Sequence, residues 1–353
     1  MSKTWHNLHP NFRLNGKSYD FKSLTELAKE LLHSNKTHEI VIGEFFSEWL
    51  NNSDAIFVNT SGSTGQPKTI LLQKEHCINS AKATGDYFNL QPNQSALLCL
   101  SAEYIAGKMM LVRAMVLGLR IDYVEPDSVP LHESIRTYDF AAMVPLQVSN
   151  SLQNLDQIRT LIIGGAPVSN SLKDKLMHLN TEVFETYGMT ETITHIAVRR
   201  ISDESFKVFS DVSISQDERN CLVIDAPKIS ADKVITNDLV ELLGEKEFVW
   251  LGRYDNIINS GGIKLIPEQI EEKLAQVISS RFFVTGITDK ILGEKLVLVV
   301  EGDLDTAELF NKIQKFEGLD KYEVPKQVFS VSKFAATSTG KVKRLDTLKK
   351  LRF

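Results

Sequence analysis

The stretch TLIIGGAPVSNSLKDKLMHL (residues 160–179) contains the pattern of a strand, a turn and a helix in succession. Its first part, TLIIGGAP (160–167), is a short apolar run that ends in a glycine turn, which is typical of a buried strand. SNSLKDKLMHL (169–179) begins with serine and asparagine, which cap helix N-termini, and its apolar residues follow helical spacing. The stretch therefore predicts one strand–helix unit of a layered α/β fold.

The same alternation precedes this unit. ALLCLS (96–101), RIDYV (120–124) and DFAAMVP (139–145) have the composition of strands, and IAGKMMLVRAMVLGL (105–119) that of a buried helix. Alternating strands and helices favour an α/β domain with parallel strands. After residue 205 the apolar runs become short and rich in strand-forming residues. We therefore expect an α/β fold, with a large layered N-terminal domain that contains a strand-rich segment.

The pattern changes again at LGRYDNIINSGG (251–262). Pro267 followed by glutamates in the first turn is a helix N-terminal signal. The residues after it alternate between short strand-like and helix-like runs. We predict a boundary here, with a large domain at residues 1–252 and a small α+β domain at residues 253–353.

Composition excludes several classes of protein. The 353 residues include 45 acidic and 40 basic ones, for a net charge of −5, so the chain has no general bias toward nucleic acid. No apolar run approaches the ~18 residues that a membrane span needs, and the N-terminus lacks a signal-peptide core. The three cysteines are far apart in sequence, which argues against a disulfide framework or structural zinc. We expect a cytoplasmic protein without a nucleic-acid partner or membrane span; a homo-oligomer is compatible with the sequence.

A glycine- and hydroxyl-rich segment, NTSGSTGQPKTI (59–70), has the composition of a phosphate-binding loop. Glycines permit close backbone approach, successive N–H groups form anion-binding concavities, and lysine suits phosphate. Its spacing does not match the common phosphate loop, which runs from a strand into a helix. The flanks DAIFVN (54–59) and KTILLQ (68–73) are both strand-like, so we predict a hairpin. An ordinary glycine–serine turn is the alternative.

Three further stretches contain residue types suited to nucleotide chemistry. ETYGMTET (185–192) combines an aromatic ring, a glycine, and a hydroxyl beside a carboxylate, which are oxygen ligands that Mg²⁺ accepts. TND (236–238) and GR (252–253) supply an acid and an arginine, and STGKVKR (338–344) supplies a lysine on a loop. Each has a simpler interpretation: an exposed turn, a turn cap, and a solvated basic tail.

Taken together, these stretches resemble the adenylate-forming family, which includes acyl-CoA synthetases, adenylation domains of peptide synthetases, and luciferases. The resemblance depends on four motifs in the family's order: TSGSTGQPK (60–68), YGMTE (187–191), GRYDNIINSGGIKLIPEQIE (252–271) and STGKVKR (338–344). It extends from about residue 55 to the C-terminus. The chain is shorter than typical members, and its first 50 or so residues contain no recognisable motif.

The resemblance implies an ATP site. It makes residues 1–252 the ATP- and acid-binding domain and residues 253–353 a small mobile lid domain that contains the catalytic lysine. The residues that it places at the ATP phosphates are Thr60, Ser61, Gly62, Ser63, Thr64, Gly65 and Lys68. Those that it places around the adenine and ribose are Gly164, Gly165, Ala166, Pro167, Thr186, Tyr187, Gly188, Asp238 and Arg253. The family usually has T-G-D where this chain has TND, so Asn237 is a departure from the pattern.

The resemblance also implies catalytic roles and three small-molecule ligands: ATP, Mg²⁺ and CoA. Thr190 and Glu191 match the residues that meet phosphate and Mg²⁺, and Lys341 matches the adenylation lysine. Asp255 matches the hinge position. Gly262 and Lys264 match the segment used in the CoA half-reaction. The implied reaction converts a carboxylic acid to an acyl-adenylate, which CoA then attacks.

The sequence says less about the acid. The segments LSAEYIAGKMMLVRAMVLG (100–118) and YGMTETITHIAV (187–198) are most similar to the o-succinylbenzoate–CoA ligase branch, which acts in menaquinone biosynthesis. A substrate with two carboxylates requires a cationic contact, and the cationic candidates on these segments are Lys108, Arg113 and His195. Tyr104 is a further candidate for the acid site. Alternatively, Lys108 and Arg113 lie exposed on a helix flank and His195 is a hydrogen-bonded core residue.

Two other functions stay open at the level of sequence. The chain could be an adenylation enzyme that loads another aryl or acyl acid onto CoA or a separate carrier protein. It could also be a non-catalytic nucleotide-binding module, although retention of Lys68, Glu191, Asp238 and Lys341 argues against loss of catalysis.

Overall fold

A computed structural model describes residues 3–59, 69–131, 136–336 and 342–351. Its helices are α1 Phe21–Leu31, α2 Thr37–Leu50, α3 Lys74–Phe88, α4 Ile105–Leu117, α5 Pro145–Asn150, α6 Asn170–Leu176, α7 Pro267–Leu274, α8 Thr306–Gln314 and α9 Arg344–Leu348. Its strands are β1 Arg13–Leu14, β2 Lys17–Ser18, β3 Ala55–Asn59, β4 Thr69–Gln73, β5 Ser95–Leu98, β6 Arg120–Tyr123, β7 Tyr138–Met143, β8 Ile158–Ile163, β9 Glu182–Gly188, β10 His195–Arg200, β11 Phe206–Val208, β12 Ser213–Gln216, β13 Cys221–Asp225, β14 Val234–Gly244, β15 Glu247–Arg253, β16 Ile258–Ser260, β17 Ile263–Leu265, β18 Phe282–Asp289, β19 Gly293–Glu301 and β20 Gln327–Val331.

The centre of the large sheet is parallel. Strands β6, β5, β7, β8 and β9 are neighbours in that order, and each pair is parallel. Alternate residues of these strands enter two different cores: Ala96 and Leu98 face the helices α1 to α4, whereas Leu97 faces the side of α5 and α6. Burial on both faces explains why these strands read as continuous apolar runs. The predicted α/β fold with parallel strands is confirmed.

The strand-rich segment after residue 205 extends this sheet instead of forming a separate one. The order continues from β9 through β10, β11, β15, β14 and β13 to β12, and every pair along it is antiparallel. Two predicted helices lie where their signals place them. Ser169 caps α6 by accepting a hydrogen bond from Leu172 N, and α4 ends at Gly118, whose φ of +74° lies in the left-handed region.

Strands β3 and β4 form a two-stranded antiparallel hairpin, as their sequences predict. Ile56, Val58 and Leu72 point into the core, whereas the opposed pair Phe57 and Leu71 is exposed on the outer face. The phosphate-loop candidates Thr60 to Lys68 connect these strands and lie outside the described residues, as does Lys341.

A second sheet begins at Ile258. It has the order β17, β16, β19, β18, and β20 pairs in parallel with β19 on the edge opposite β18. Helices α7 and α8 pack on it around Ile270, Leu274 and Leu298, a core distinct from those of the large sheet. Helix α7 also contacts β15 of the large sheet. None of the helices in the described ranges is long and apolar enough to cross a membrane.

Candidate active site

The two glycine-containing motifs GGAP and ETYG lie side by side at the carboxyl ends of β8 and β9. Thr186 Oγ1 donates to the Ile163 carbonyl at 3.0 Å, and a Cβ on Gly164 would lie 2.6 Å from the same hydroxyl. Gly165 has a φ of +83°, which a larger residue rarely adopts. Ala166 is half-buried and Pro167 is exposed. The carboxyl ends of parallel strands are the usual place for ligands in such sheets, so the geometry supports a binding crevice here.

Asp238 is the centre of a hydrogen-bonded group beside this crevice. It is 5% exposed, and Tyr187 Oη donates to its Oδ2 at 2.7 Å. Trp250 Nε1 and Arg253 Nη1 approach its Oδ1 at 3.2 and 3.4 Å. Burial, and then the Asp238 charge, raise the pKa of Tyr187 above its ordinary value, so its phenol stays a neutral donor. The structure thus brings together Tyr187, Asp238 and Arg253, which are far apart in sequence. Trp250, which also contacts Asp238, was not identified from the sequence.

The departure from the family pattern, Asn237, contacts the predicted hinge residue. Asn237 Nδ2 lies 3.0 and 3.2 Å from the two carboxylate oxygens of Asp255, and Arg253 Nη2 is 3.3 Å from Oδ2. Asn237 in turn accepts a hydrogen bond from Arg219 Nη1 at 2.8 Å. Asp255 lies in the 3₁₀ turn Tyr254–Asn256, between the two sheets. A glycine at position 237 would make none of these side-chain contacts.

The loop after β9 holds Thr190 and Glu191 in the 3₁₀ turn Thr190–Thr192. Glu191 is exposed and Thr190 half-buried, so both side chains are open to a ligand. The loop is strained, because Ile193 has a φ of +65°, which is unfavourable for a β-branched residue. Gly188 is required at its start, since a Cβ there would lie 2.1 Å from the Thr194 carbonyl oxygen. Strain of this kind persists only where the surroundings fix it, and it supports a functional role for the loop.

Arg113 and His195 meet in a buried polar cluster between α4 and β10. Arg113 Nε and His195 Nε2 both lie 3.3 Å from Thr84 Oγ1, and Arg113 Nη2 lies 3.2 Å from Thr194 Oγ1. Ser80 Oγ is 3.2 Å from the same Thr194 hydroxyl. The alternative of an exposed Arg113 is therefore wrong, whereas His195 is a hydrogen-bonded buried residue. Ser80 and Thr84 were not identified from the sequence, where they are polar positions on a helix of mixed composition.

The charges in this cluster are not balanced. Arg113 is 2% exposed, and no carboxylate among the described residues lies within ion-pair distance of it. Burial lowers the pKa of Arg113 to about 10, so it stays charged at neutral pH. Burial, and then the Arg113 charge, push the pKa of His195 well below its ordinary value, so the imidazole is neutral. Among the described residues this buried guanidinium contacts hydroxyls and a thioether, so it is a favourable partner for an anion.

A small cavity adjoins the cluster. Its volume is about 20 Å³, and Ser80 and His195 lie in its wall together with Phe209 and Ile229. A cavity of this size holds roughly one water molecule or one oxygen of a carboxylate. Its wall also includes Asn79 and the ion pair of Lys228 with Asp211.

The structure does not bring Lys108 to this cluster. Its Nζ lies 3.1 Å from Glu48 Oε2 and 3.4 Å from the Phe57 carbonyl oxygen, on the side of the β3–β4 hairpin. Lys108 is 8% exposed, so the alternative of an exposed flank position is wrong for it too. Tyr104 is half-buried at the N-terminus of α4. The positive charge of Lys108 is therefore already paired.

The residues matched to the CoA half-reaction lie at the tip of the second sheet. Gly261 and Gly262, with φ of +59° and +83°, form the two-residue turn between β16 and β17. Lys264 is exposed on β17. Groups of three or more metal-ligating side chains are absent from the described residues. Mg²⁺ that is bound with substrate phosphates typically needs only one or two protein carboxylates, and the exposed Glu191 fits that requirement.

The profile of the family described as AMP-binding enzyme matches residues 16–219. The chain therefore belongs to the AMP-binding enzyme family, which confirms the family predicted from the motifs. It is 25% identical over 331 residues to a 2-succinylbenzoate–CoA ligase from Bacillus cereus, with 81% of this chain and 68% of the relative covered.

Two solved structures share the fold. The chain is 35% identical to an AMP-forming acyl-CoA synthetase/AMP-acid ligase II-like protein from Dyadobacter fermentans, with a TM-score of 0.62 and 93% and 98% of the two chains covered. It is 21% identical to the O-succinylbenzoate coenzyme A synthetase of Bacillus subtilis in complex with ATP and magnesium ion. That match has a TM-score of 0.72 and covers 83% of this chain and 69% of the other.

Proposed function

We propose that the chain is an AMP-forming acid–CoA ligase that converts 2-succinylbenzoate to its adenylate and then to its CoA thioester, a step of menaquinone biosynthesis. Family membership supports the reaction class, and the relative from Bacillus cereus is named for this substrate. The choice of this substrate depends on one observation: Arg113 is a buried guanidinium without a carboxylate partner among the described residues. An acid with a second carboxylate would supply that partner. Use of ATP and CoA fits a cytoplasmic enzyme, and we include that location in the proposal.

The nucleotide is proposed to bind in the crevice at the carboxyl ends of β8 and β9. The Gly164–Gly165 turn permits close approach of a flat ring, and Asp238 with Arg253 forms a polar wall for ribose hydroxyls. Tyr187 donates its hydroxyl to Asp238, and its half-buried ring is proposed to stack on the adenine. Residues 60–68 would hold the phosphates. Mg²⁺, when bound, would neutralise phosphate charge and Glu191 would hold it.

The two half-reactions are proposed to use two domains, residues 1–252 and 253–353. Lys341 would stabilise charge at the α-phosphate during adenylation, and the turn at Gly262 with Lys264 would face the cleft when CoA attacks. Asp255 would be the hinge. Its contact with Asn237 attaches the hinge turn to the first domain in the observed arrangement.

A direct test is pyrophosphate release with ATP and Mg²⁺ over a panel of carboxylic acids, followed by thioester formation on addition of CoA. The proposal expects 2-succinylbenzoate to exceed simple fatty acids, amino acids and monocarboxylic aryl acids in kcat/KM. Better turnover of another acid would refute the substrate. Adenylate formation without transfer to CoA, with transfer to a carrier protein instead, would favour the carrier-loading enzyme. Nucleotide binding without pyrophosphate release would favour the non-catalytic module.

A further inference from the structure

The outer edge of β3 is held by side chains instead of a neighbouring strand. Within the described residues β3 pairs with β4 alone, which leaves its other edge without a strand partner. In an antiparallel strand, every second residue directs both its N–H and its C=O to the same edge. Phe57 is such a residue: its N–H donates to Glu48 Oε1 at 2.6 Å, and its C=O accepts from Lys108 Nζ at 3.4 Å.

The two side chains that satisfy Phe57 are also paired with each other. Lys108 Nζ lies 3.1 Å from Glu48 Oε2, and the two side chains are 10% and 22% exposed. Glu48 comes from the last turn of α2 and Lys108 from the first turn of α4, so the pair connects two helices to the hairpin. The aromatic ring of Phe45 covers the ammonium, with 5.5 Å between Nζ and the ring centroid. Charge-assisted hydrogen bonds in such a setting fix geometry well.

The position of β3 matters because β3 leads directly into the phosphate segment. Residue 60, where the segment assigned to the ATP phosphates begins, is only three positions after Phe57. A two-stranded hairpin has little stability of its own and can change its tilt or register unless other elements hold it. Ile56 and Val58 anchor its inner face. Apolar contacts, however, resist sliding of a strand along its own axis less well than hydrogen bonds do.

We propose that Glu48 and Lys108 are positioning residues for ATP binding: as an ion pair they hold both backbone groups of Phe57 and so fix the strand from which the phosphate segment starts. The inference rests on the proposed function in one respect, the assignment of residues 60–68 to ATP. It gives Lys108 a role different from that of Arg113, five residues further along the same helix. Lys108 acts on the nucleotide side, and Arg113 on the acid side.

The test is Lys108→Met in the full chain, with the Kd of Mg-ATP measured by calorimetry and the KM of each substrate measured by pyrophosphate release. We expect the ATP Kd and KM to rise on the order of 10- to 100-fold, since small misplacements at a phosphate site have effects of this size. The KM of the acid should not change. Lys108→Arg should restore much of the ATP affinity, because a guanidinium can also donate to both oxygens.

Two further variants keep the test decisive. Glu48→Gln/Lys108→Met removes both charges of the pair, so Glu48 is not left without its Lys108 partner. This variant should fold where Lys108→Met does not, and still show weak ATP binding. Lys273→Met removes the lysine of another ion pair, Lys273–Glu323, remote from the hairpin, and should bind ATP normally. Unchanged ATP affinity in the folded Lys108 variants, or a rise in the acid KM alone, would overturn the positioning role. Failure of the unaltered chain to bind ATP would overturn the proposed function as well.

Discussion

Replacing Arg113 with methionine should separate stability from substrate recognition. The guanidinium is buried without a carboxylate partner among the described residues, and burial lowers its pKa from 12.5 to about 10. At 1.36 kcal/mol per pKa unit, the charged form loses about 3 kcal/mol of free energy in this environment. Methionine has similar length and no charge, so the substitution removes that cost. We expect the unfolding temperature of the ligand-free Arg113→Met variant to stay the same or rise.

Binding of the acid, in contrast to stability, should become weaker in the Arg113→Met variant. A hydrogen bond between a charged donor and a carboxylate contributes about 1.5–3 kcal/mol. At 1.36 kcal/mol per tenfold change, its loss should raise the KM for 2-succinylbenzoate by roughly 10- to 150-fold. The ATP KM should be unaffected, since Arg113 contacts Thr84 and Thr194 and none of the residues around Asp238.

The assay compares two acids. 2-Succinylbenzoate carries a ring carboxylate, and 4-oxo-4-phenylbutanoate lacks it but keeps the carboxylate that is activated. The unaltered enzyme should prefer the first, and Arg113→Met should lose most of that preference because it affects only the acid with the second carboxylate. Arg113→Lys, which keeps a charge, serves as the matched control and should keep part of the preference.

Two results would refute this reasoning. If Arg113→Met keeps the full preference for the dicarboxylic acid, the second carboxylate binds elsewhere. If Arg113→Met strongly lowers the unfolding temperature, the guanidinium is a structural group whose hydrogen bonds to the threonine hydroxyls outweigh its burial cost.

Three further predictions concern other residues. Glu191→Gln should lower Mg²⁺-dependent pyrophosphate release by ~10²–10³ without changing the unfolding temperature, because the side chain is exposed; an unchanged rate at limiting Mg²⁺ would place the metal on another residue. Lys341→Ala should abolish adenylate formation yet convert pre-made acyl-adenylate and CoA to thioester, and an equal loss in both half-reactions would contradict the two-domain scheme. Burial raises the pKa of Glu271 from 4.5 to about 7, so the folded state holds the proton across that range. The unfolding free energy should therefore fall as pH rises from about 4.5 to 7, and Glu271→Gln should remove that part of the slope in denaturant titrations at several pH values.

Sequence by itself determined the fold class and the family. The strands and helices predicted between residues 96 and 179 are present at those positions. Their local patterns suffice because the spacing of apolar residues reflects whether one or both faces of an element are buried. The family motifs are also local. Gly165 needs a positive φ and Gly188 faces the Thr194 carbonyl oxygen, and only glycine meets such requirements. The order of these motifs could therefore be recognised before any contact was known.

Only the tertiary structure decided what the charged side chains contact. Lys108 and Arg113 lie five residues apart on a helix that is buried on nearly all sides, so periodicity does not assign either to a face. Glu48 neutralises Lys108, whereas Arg113 meets neutral groups within the described part of the chain, Thr84 and Thr194 among them, from two separate segments. The contact of Asn237 with Asp255 likewise requires that β14 and the turn after β15 be neighbours. The energy of a buried charge depends on these partners, which come from distant parts of the chain.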